Sequence, residues 1–431
     1  MIKRIPLKNL KSHLDQEVSV AGFVHAFRDQ GKIKFIQLRD RTGFVQLVVL
    51  NQHEQAFQAS QDLHLESVIA VTGILKSTSQ TPQGFEIEVT QLHLLSRANP
   101  ELPIPVAETK GADKTDVTKR FNWRWLDLRR PSQLHIFQVW TVLEKGFRKA
   151  LLDAGFLQIY APSLMNTASE SGAEVFSVQY FDRQAFLAQS PQFYKQMAMA
   201  AGFERVFLVG PVYRAEPSFT TRHMTEFTGW DFEMSYIDSH HDVMDMEEKA
   251  LVAGFAQLKK ELNLDLDLPK TPFPRLTLKE VKSKLAKVNV PSDKSDDLSP
   301  LEEREISRLI KAETGSDFLF VIDYPITSRP FYHMRHETNS QLTKSFDLLY
   351  KGVEVTTGAQ REHRYDILLD QAKEKNMPLK SLENYLNFFK YGCPPHGGVG
   401  LGPGRLVMKL LDLPSVKEAT FLPRDVRRLT P

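Results

Sequence analysis

Cysteine is almost absent from this chain: Cys393 is the only one in 431 residues, which excludes an intrachain disulfide and leaves no thiolate cluster for a metal. Long hydrophobic runs are missing as well. No stretch could span a bilayer, and the opening MIKRIPLKNLKSHLDQ lacks the uninterrupted apolar core of a signal peptide. Both absences predict a reducing, cytoplasmic setting without membrane contact. Charge of one sign does not dominate either. With 55 Lys and Arg against 53 Asp and Glu the formal net charge is +2, so any nucleic-acid binding has to come from local patches and not from a global field. What remains, 42% hydrophobic and 25% charged residues, describes a globular protein long enough for two or three domains.

From residue 17 to about 95 the chain reads as short strands, EVSVAGFVHAF, KIKFIQLRD, GFVQLVVL, SVIAVTGIL and GFEIEVTQLHLL, with one helical stretch near Gln52 to Leu63. That spacing predicts a small closed barrel, and the OB-fold is the commonest such barrel that binds nucleic acid. Phe35, Gln37 and Arg39 alternate on one strand and share a face, which suits base stacking, edge reading and phosphate contact. Ser96 to Arg120 then turns Pro-rich and polar, a linker composition.

The stretch Phe207 to Tyr236, FLVGPVYRAEPSFTTRHMTEFTGWDFEMSY, concentrates charge where an ordinary core would have none. Its second run alternates: Trp230, Phe232, Met234 and Tyr236 face one way, Asp231, Glu233 and Ser235 the other, as in a strand with one buried face. Arg214 and Glu216 share a face of the first run, and the loop between adds Arg222 and His223 before Phe227. Cations, carboxylates and an aromatic ring on one pleated surface suit a nucleotide.

Further segments carry their own signals. Trp123 to Pro131 opens a new region, followed by a helix from about Ser132 to Ala154, Gly155 as its C-cap, and a strand Phe156 to Tyr160 leading to Pro162. Asn166 to Phe176, with Glu170 and Glu174, reads as a small-residue loop able to close over a substrate. Gln189 to Ala201 opens with Pro191 and becomes a helix on which Gln192 and Lys195 share a face. Residues 241 to 316 read as a charged helical scaffold with a modest insertion. In the hairpin Ser345 to Gln360, a turn at Tyr350 and Lys351 would set Asp347 directly across from Glu354. Opposed like charges destabilise a ladder, and magnesium would relieve them. A helical stretch is expected from about Ile367 to Lys390. The glycine-rich run Tyr391 to Leu406 then brings Arg405 to the start of a helix Leu406 to Leu413, where an anion is favoured.

Tyr213-Arg214-Ala215-Glu216, the loop with Arg222 and His223, and Glu226-Phe227 resemble motif 2 of the class II aminoacyl-tRNA synthetases, most closely the aspartyl enzymes of archaeal type. Helix, Gly155-Phe156, strand and Pro162 resemble motif 1, which builds the dimer interface of that family, and the glycine-rich strand with Arg405 resembles motif 3. The resemblance runs over essentially the whole chain. It implies an α+β protein: an OB-fold anticodon-binding domain at 1–98, a linker at 99–122, and a class II catalytic domain at 123–431 with an antiparallel sheet flanked by helices.

By that resemblance the chain is an aspartate–tRNA ligase that uses ATP and Mg2+. Arg214 holds the α-phosphate and substrate carboxylate, Glu216 reads the adenine amino group, and Arg222 and His223 meet the distal phosphates. Phe227 and Arg405 sandwich the adenine, Met224 and Gly402 complete the ATP site, and Asp347 and Glu354 hold magnesium. L-Aspartate would be bound by Glu170, Gln192, Lys195, Arg214, Asp231, Thr357 and Arg361; Lys195 and Arg361 supply the cations its side chain needs, and asparaginyl enzymes lack the matching lysine. In the barrel, the residues matching Phe35 and Gln46 contact the central anticodon base. His25 and Pro82 stand where members specific for the aspartate tRNA carry Trp and Lys, which implies relaxed charging of both the aspartate and the asparagine tRNA, a homodimer, and a tRNA-dependent amidotransferase as functional partner. The alternatives are an asparagine–tRNA ligase of the same fold, a silent RNA-binding paralogue, which would be expected to lose Arg214, Glu354 or Arg405, and an amide-forming relative, which would lack the barrel.

Overall fold

The computed structural model describes residues 4–107, 115–166 and 175–431. Contacts divide the chain into two compact units, residues 1–135 with Pro431 and residues 136–430. Among the described residues no helix is long and apolar enough to cross a membrane.

The first unit holds five strands, β1 (Glu17–Asp29), β2 (Ile33–Asp40), β3 (Gly43–Leu50), β4 (Val68–Ser77) and β5 (Phe85–Ser96), closed into a barrel in the order β1-β2-β3-β5-β4. Period-two alternation sends Val18, Val20 and Val24 of β1, Ile36 and Leu38 of β2, and Val45, Leu47 and Val49 of β3 into one apolar core. All five expected strands form. The helix expected near Gln52 to Leu63 is shorter, Glu54–Ala59. One feature was not legible: the β1–β2 register passes from Val24 opposite Leu38 to Ala26 opposite Gln37, so His25 is the extra residue of a bulge. Bulges re-aim a side chain relative to the regular pleat.

The second unit is built on an eight-stranded sheet in the order Arg275–Thr277, Phe318–Ile322, Ser345–Tyr350, Val353–Arg361, His396–Leu401, Glu226–Ser235, Arg205–Tyr213, Leu157–Gln158. The six inner strands pair antiparallel, as expected; the outermost strand at each edge is parallel, so the sheet is mixed. The helix Pro131–Asp153 packs Ile136, Val139, Leu143, Phe147 and Leu151 into the core beneath the sheet, together with Trp230 and Phe232. Gly155 ends it at φ +81°, and the amide of Phe156 bonds back to Leu151.

Four local expectations are corrected. The strand expected over Phe156 to Tyr160 is only Leu157–Gln158, at the sheet edge. The helix expected from Ile367 to Lys390 is two, Tyr365–Glu374 and Leu379–Lys390, interrupted by Asn376 at positive φ and by Pro378, which has no amide hydrogen to donate. Glu226–Ser235 is buried on both faces from Gly229 onward, and Tyr236 leaves the strand at φ +58° and is exposed. Finally, Asp347 does not oppose Glu354. The two-residue turn is Lys351-Gly352, both at positive φ, which suits the twist of a tight hairpin. Leu349 therefore faces Glu354, and after an irregularity Asp347 faces Thr357.

Candidate active site

The polar face of Glu226–Ser235 forms the floor of a cavity of about 340 Å³ in the second unit. Gln192, Lys195, Arg214, Glu216, Arg222, His223, Met224, Phe227, Asp231, Glu354, Thr357, Arg361, Gly402 and Arg405 all line it. Glu170 lies outside the described residues, and Asp347 does not reach the cavity wall.

One end is a dry lattice of ion pairs. Lys195, on the helix Gln192–Ala200 and 1% exposed, donates to Asp231 Oδ2 at 2.8 Å and to the Val399 carbonyl at 2.8 Å, with Glu233 Oε2 at 3.4 Å. Arg361, 3% exposed, donates through Nε to Glu233 Oε1 at 3.0 Å and through Nη2 to the Gly398 carbonyl at 2.9 Å. Its Nη1 lies 2.9 Å from His333 Nε2. A guanidinium can only donate, so that nitrogen accepts and His333 is neutral; burial and the Arg361 charge push its imidazole far below the usual range. Burial raises the Asp231 carboxyl against the pull of Lys195. For Glu233 burial also works upward, but Arg361 and Lys195 outweigh it and hold the carboxyl below its ordinary value. Glycine is required behind this lattice: a Cβ on Gly398 would lie 2.2 Å from Glu233 Oε2.

A second layer orients Gln192. Gln196 Oε1 accepts from Gln192 Nε2 at 3.0 Å and from the Tyr385 hydroxyl at 2.9 Å, while Gln196 Nε2 lies 3.0 Å from His396 Nε2. His396 Nδ1 donates to the Pro394 carbonyl, so Nε2 is the acceptor. Burial pushes this histidine down to about 4.

The other end is half open. Arg214 stands 5.6 Å from the Phe227 ring centre and 3.7 Å from Glu216, with 42% of its side chain exposed. The loop between the strands places Arg222 against Glu303 at 2.7 Å and His223 Nδ1 against the Thr220 hydroxyl at 2.6 Å. Burial, then the Arg405 charge, lowers the His223 pKa. Arg405 lies in the first turn of the helix Pro403–Leu410, slightly inside the expected start, and donates to the Glu354 carbonyl at 2.9 Å and the Arg222 carbonyl at 3.3 Å.

Among the described residues no group of three or more His, Cys, Asp or Glu side chains is arranged to hold a metal ion. Glu354 is a suitable single carboxylate on the cavity wall. Asp347 is engaged differently from the expected pair: Arg329 grips both its oxygens, at 3.0 and 2.6 Å, while stacking 3.7 Å over Tyr324. Magnesium takes most of its shell from phosphates and water and needs only one or two carboxylates; Glu354 is in reach of the cavity, and Asp347 could contribute only by sharing its oxygens with Arg329.

On the barrel, His25 and Gln46 are half-buried, Phe35 likewise, and Pro82 is exposed. Gln46 bonds Glu86 at 2.8 Å. Arg39 departs from the expected phosphate-facing role: at 4% exposure it forms a two-pronged pair with Glu66 at 2.9 and 2.8 Å, and its Nη1 meets His25 Nδ1 at 2.6 Å. That contact fixes the His25 proton on Nε2. Arg129 is the second cation on Glu66, at 3.1 Å.

Sequence reasoning missed Arg329, His333, Gln196 and Glu303, and assigned Glu233 no role. Glu233 had a visible signal in its two-residue spacing from Asp231, and Gln196 in its place four residues after Gln192 on the same helix. Arg329, His333 and Glu303 come from segments without a motif and meet the site through the fold.

The model of the class II tRNA synthetases (D, K and N) matches residues 116–426, and the OB-fold nucleic acid binding domain matches residues 18–95. The chain is 43% identical over 425 residues to the aspartate–tRNA(Asp/Asn) ligase of Aeropyrum pernix, covering 96% of this chain and 95% of that protein. It is 39% identical to the aspartate–tRNA(Asp) ligase of Pyrococcus horikoshii, covering 96% of each. The asparaginyl-tRNA synthetase of Pyrococcus horikoshii, solved with asparaginyl-adenylate, superposes with a TM-score of 0.92 at 32% identity over the full length of both chains. Motifs, barrel, sheet and comparisons agree that this chain belongs to the class II tRNA synthetases of the D, K and N group.

Proposed function

We propose that the chain is an aspartate–tRNA ligase that charges both the aspartate and the asparagine tRNA. The observation that carries the amino-acid assignment is the buried pair Lys195 and Arg361, held 3.4 and 3.0 Å from the same Glu233. Both cations are already paired within the chain, and both can still donate to a carboxylate side chain, whereas a carboxamide would bring them no negative charge.

In the first step an aspartate α-carboxylate oxygen attacks the α-phosphorus of ATP and pyrophosphate leaves. The nucleophile is already ionised, so no side chain acts as base. Arg214 and Arg405 stabilise the charge that develops at phosphorus. Phe227 and Arg405 clamp adenine, Glu216 reads its amino group, Met224 and Gly402 line the nucleotide, and Arg222 and His223 meet the distal phosphates. Gln192, Asp231 and Thr357 orient the amino acid, and the family resemblance assigns its ammonium to Glu170 as well, which lies outside the described residues. Glu354 and Asp347 would hold magnesium, which when bound neutralises phosphate charge. In the second step a terminal ribose hydroxyl of tRNA takes the acyl group and AMP leaves.

Relaxed tRNA choice rests on His25 and Pro82, and similarity to the Aeropyrum pernix protein supports it. On this reading the protein is a cytoplasmic homodimer, and its product on the asparagine tRNA feeds a tRNA-dependent amidotransferase. ATP–pyrophosphate exchange with aspartate, asparagine and lysine tests the assignment: aspartate alone should support it, and exchange with asparagine would defeat it.

A further inference from the structure

The helix Pro300–Thr314 belongs to the stretch that carried no motif, yet it delivers a buried carboxylate behind Arg222, which lines the open end of the cavity. Ser299 caps this helix with Glu302, and Glu302 is tied to Lys282 at 2.6 Å, so its first turn is firmly set. The next residue, Glu303, is 4% exposed. Its Oε2 accepts from Arg222 Nη1 at 2.7 Å and from the Glu354 backbone amide at 3.3 Å. The helix also meets the turn of that hairpin closely: a Cβ on Gly352 would lie 3.0 Å from Arg304 Cα. One carboxylate thus joins the loop arginine to the strand that carries Glu354.

We propose that Glu303 is a positioning residue for phosphate binding, holding Arg222 in place before ATP arrives. A long side chain on a loop loses rotamer freedom when it is fixed, and a tether supplied by a rigid helix removes that cost from the binding step. The tether uses one nitrogen. Among the described residues Arg222 Nε and Nη2 make no hydrogen bond within the chain, so the guanidinium edge suited to two parallel bonds with a phosphate is left over. A carboxylate in the first turn of a helix also complements the helix dipole; that role alone would change stability and leave nucleotide binding untouched.

This inference rests on the reading of Arg222 as a contact for the distal phosphates. The test measures ATP, pyrophosphate and AMP affinities and the KM for aspartate in Glu303→Gln, Glu303→Ala, Arg222→Ala and Glu303→Ala/Arg222→Ala, with thermal unfolding alongside. Arg222→Ala should weaken ATP and pyrophosphate on the order of tenfold. The Glu303 variants should do the same to a lesser extent, with AMP affinity and the aspartate KM unchanged, and the double variant should be no worse than Arg222→Ala. Additive effects, or Glu303 variants that bind ATP as the wild type does while Arg222→Ala does not, overturn the positioning role alone. An Arg222→Ala protein with normal ATP and pyrophosphate affinity overturns the phosphate reading and the proposal together. If Glu303→Ala does not fold, Glu303→Gln, which keeps the shape and an acceptor oxygen, decides between the same outcomes.

Discussion

The two ends of the cavity are built on opposite principles. At the amino-acid end Lys195, Asp231, Glu233 and Arg361 are each at most 5% exposed, and each already has a charged protein partner. At the nucleotide end Arg214 and Glu354 keep 42% and 37% of their side chains exposed. On the function proposed above, with aspartate at the first end and ATP at the second, the difference follows the work each end would do. Telling aspartate from asparagine needs charges fixed in a low-dielectric site, where misplacing one is expensive. Binding a polyphosphate that must later leave as pyrophosphate suits charges that stay partly hydrated until the ligand arrives, as Arg214 and Glu354 do, with Arg222 tethered through one nitrogen and its other edge left open. Stability and function should therefore be coupled at the first end and separable at the second.

The largest effect is expected where they are coupled. Lys195→Ala or Arg361→Ala leaves a buried carboxylate without its cation, so unfolding free energy should fall by about 3–5 kcal/mol and aspartate-dependent exchange should vanish together. Denaturant titration beside the exchange assay checks this, and a stable but inactive variant would break the comparison. Arg214→Ala should separate the two quantities. Exchange should drop roughly a hundred- to a thousandfold, while stability stays within about 0.5 kcal/mol, as for other exposed substitutions.

A buried carboxyl with no cation sharpens the contrast. Glu247, fully buried beneath the sheet, has its carboxyl pushed up to about 8 by burial, and the Thr356 hydroxyl only partly offsets this without closing a hydrogen bond. Its folded pKa is raised above the unfolded value of 4.5, so the folded state keeps a proton that the unfolded chain releases. Stability relative to Glu247→Gln should be highest below pH 4.5 and fall between there and pH 8 by about 1.4 kcal/mol per pH unit. Equal slopes in the two proteins would mean that Glu247 titrates normally. The smallest effect belongs to the barrel: His25→Trp with Pro82→Lys should restore a preference for the aspartate tRNA of about 1–3 kcal/mol, read by charging purified transcripts of the two tRNAs. Unchanged ratios would remove both residues from anticodon discrimination.

The barrel strands and the helix Pro131–Asp153 were legible from the sequence because alternation and helical spacing are local, and burial of an apolar face follows directly from them. Most of the site residues were legible for a different reason: Arg214, Glu216, Phe227 and Arg405 lie in short motifs whose order is preserved along the chain. Register was not. One residue of turn placement, together with the irregularity between Leu348 and Leu349, moved Asp347 from Glu354 to Thr357, because a hairpin's pairing depends on which two residues adopt positive φ and on any bulge beyond them. Nor could alternation show that the bulge in β1 re-aims His25 toward Arg39, since an extra residue breaks the period that the reading relies on.

By itself, then, the sequence determined the elements, their order and the chemical types the site would contain, all of which depend on neighbours a few residues apart. Only the tertiary structure decided the partners. Glu233 stands between Lys195 and Arg361, Arg329 takes Asp347, and Glu303 takes Arg222, across separations of 18 to 128 residues. Each of those charges could have been solvated on a surface instead. Which carboxylate meets which cation is set by how the helices and the sheet bury them together, because a desolvated charge tolerates only a folded arrangement that supplies its counter-charge.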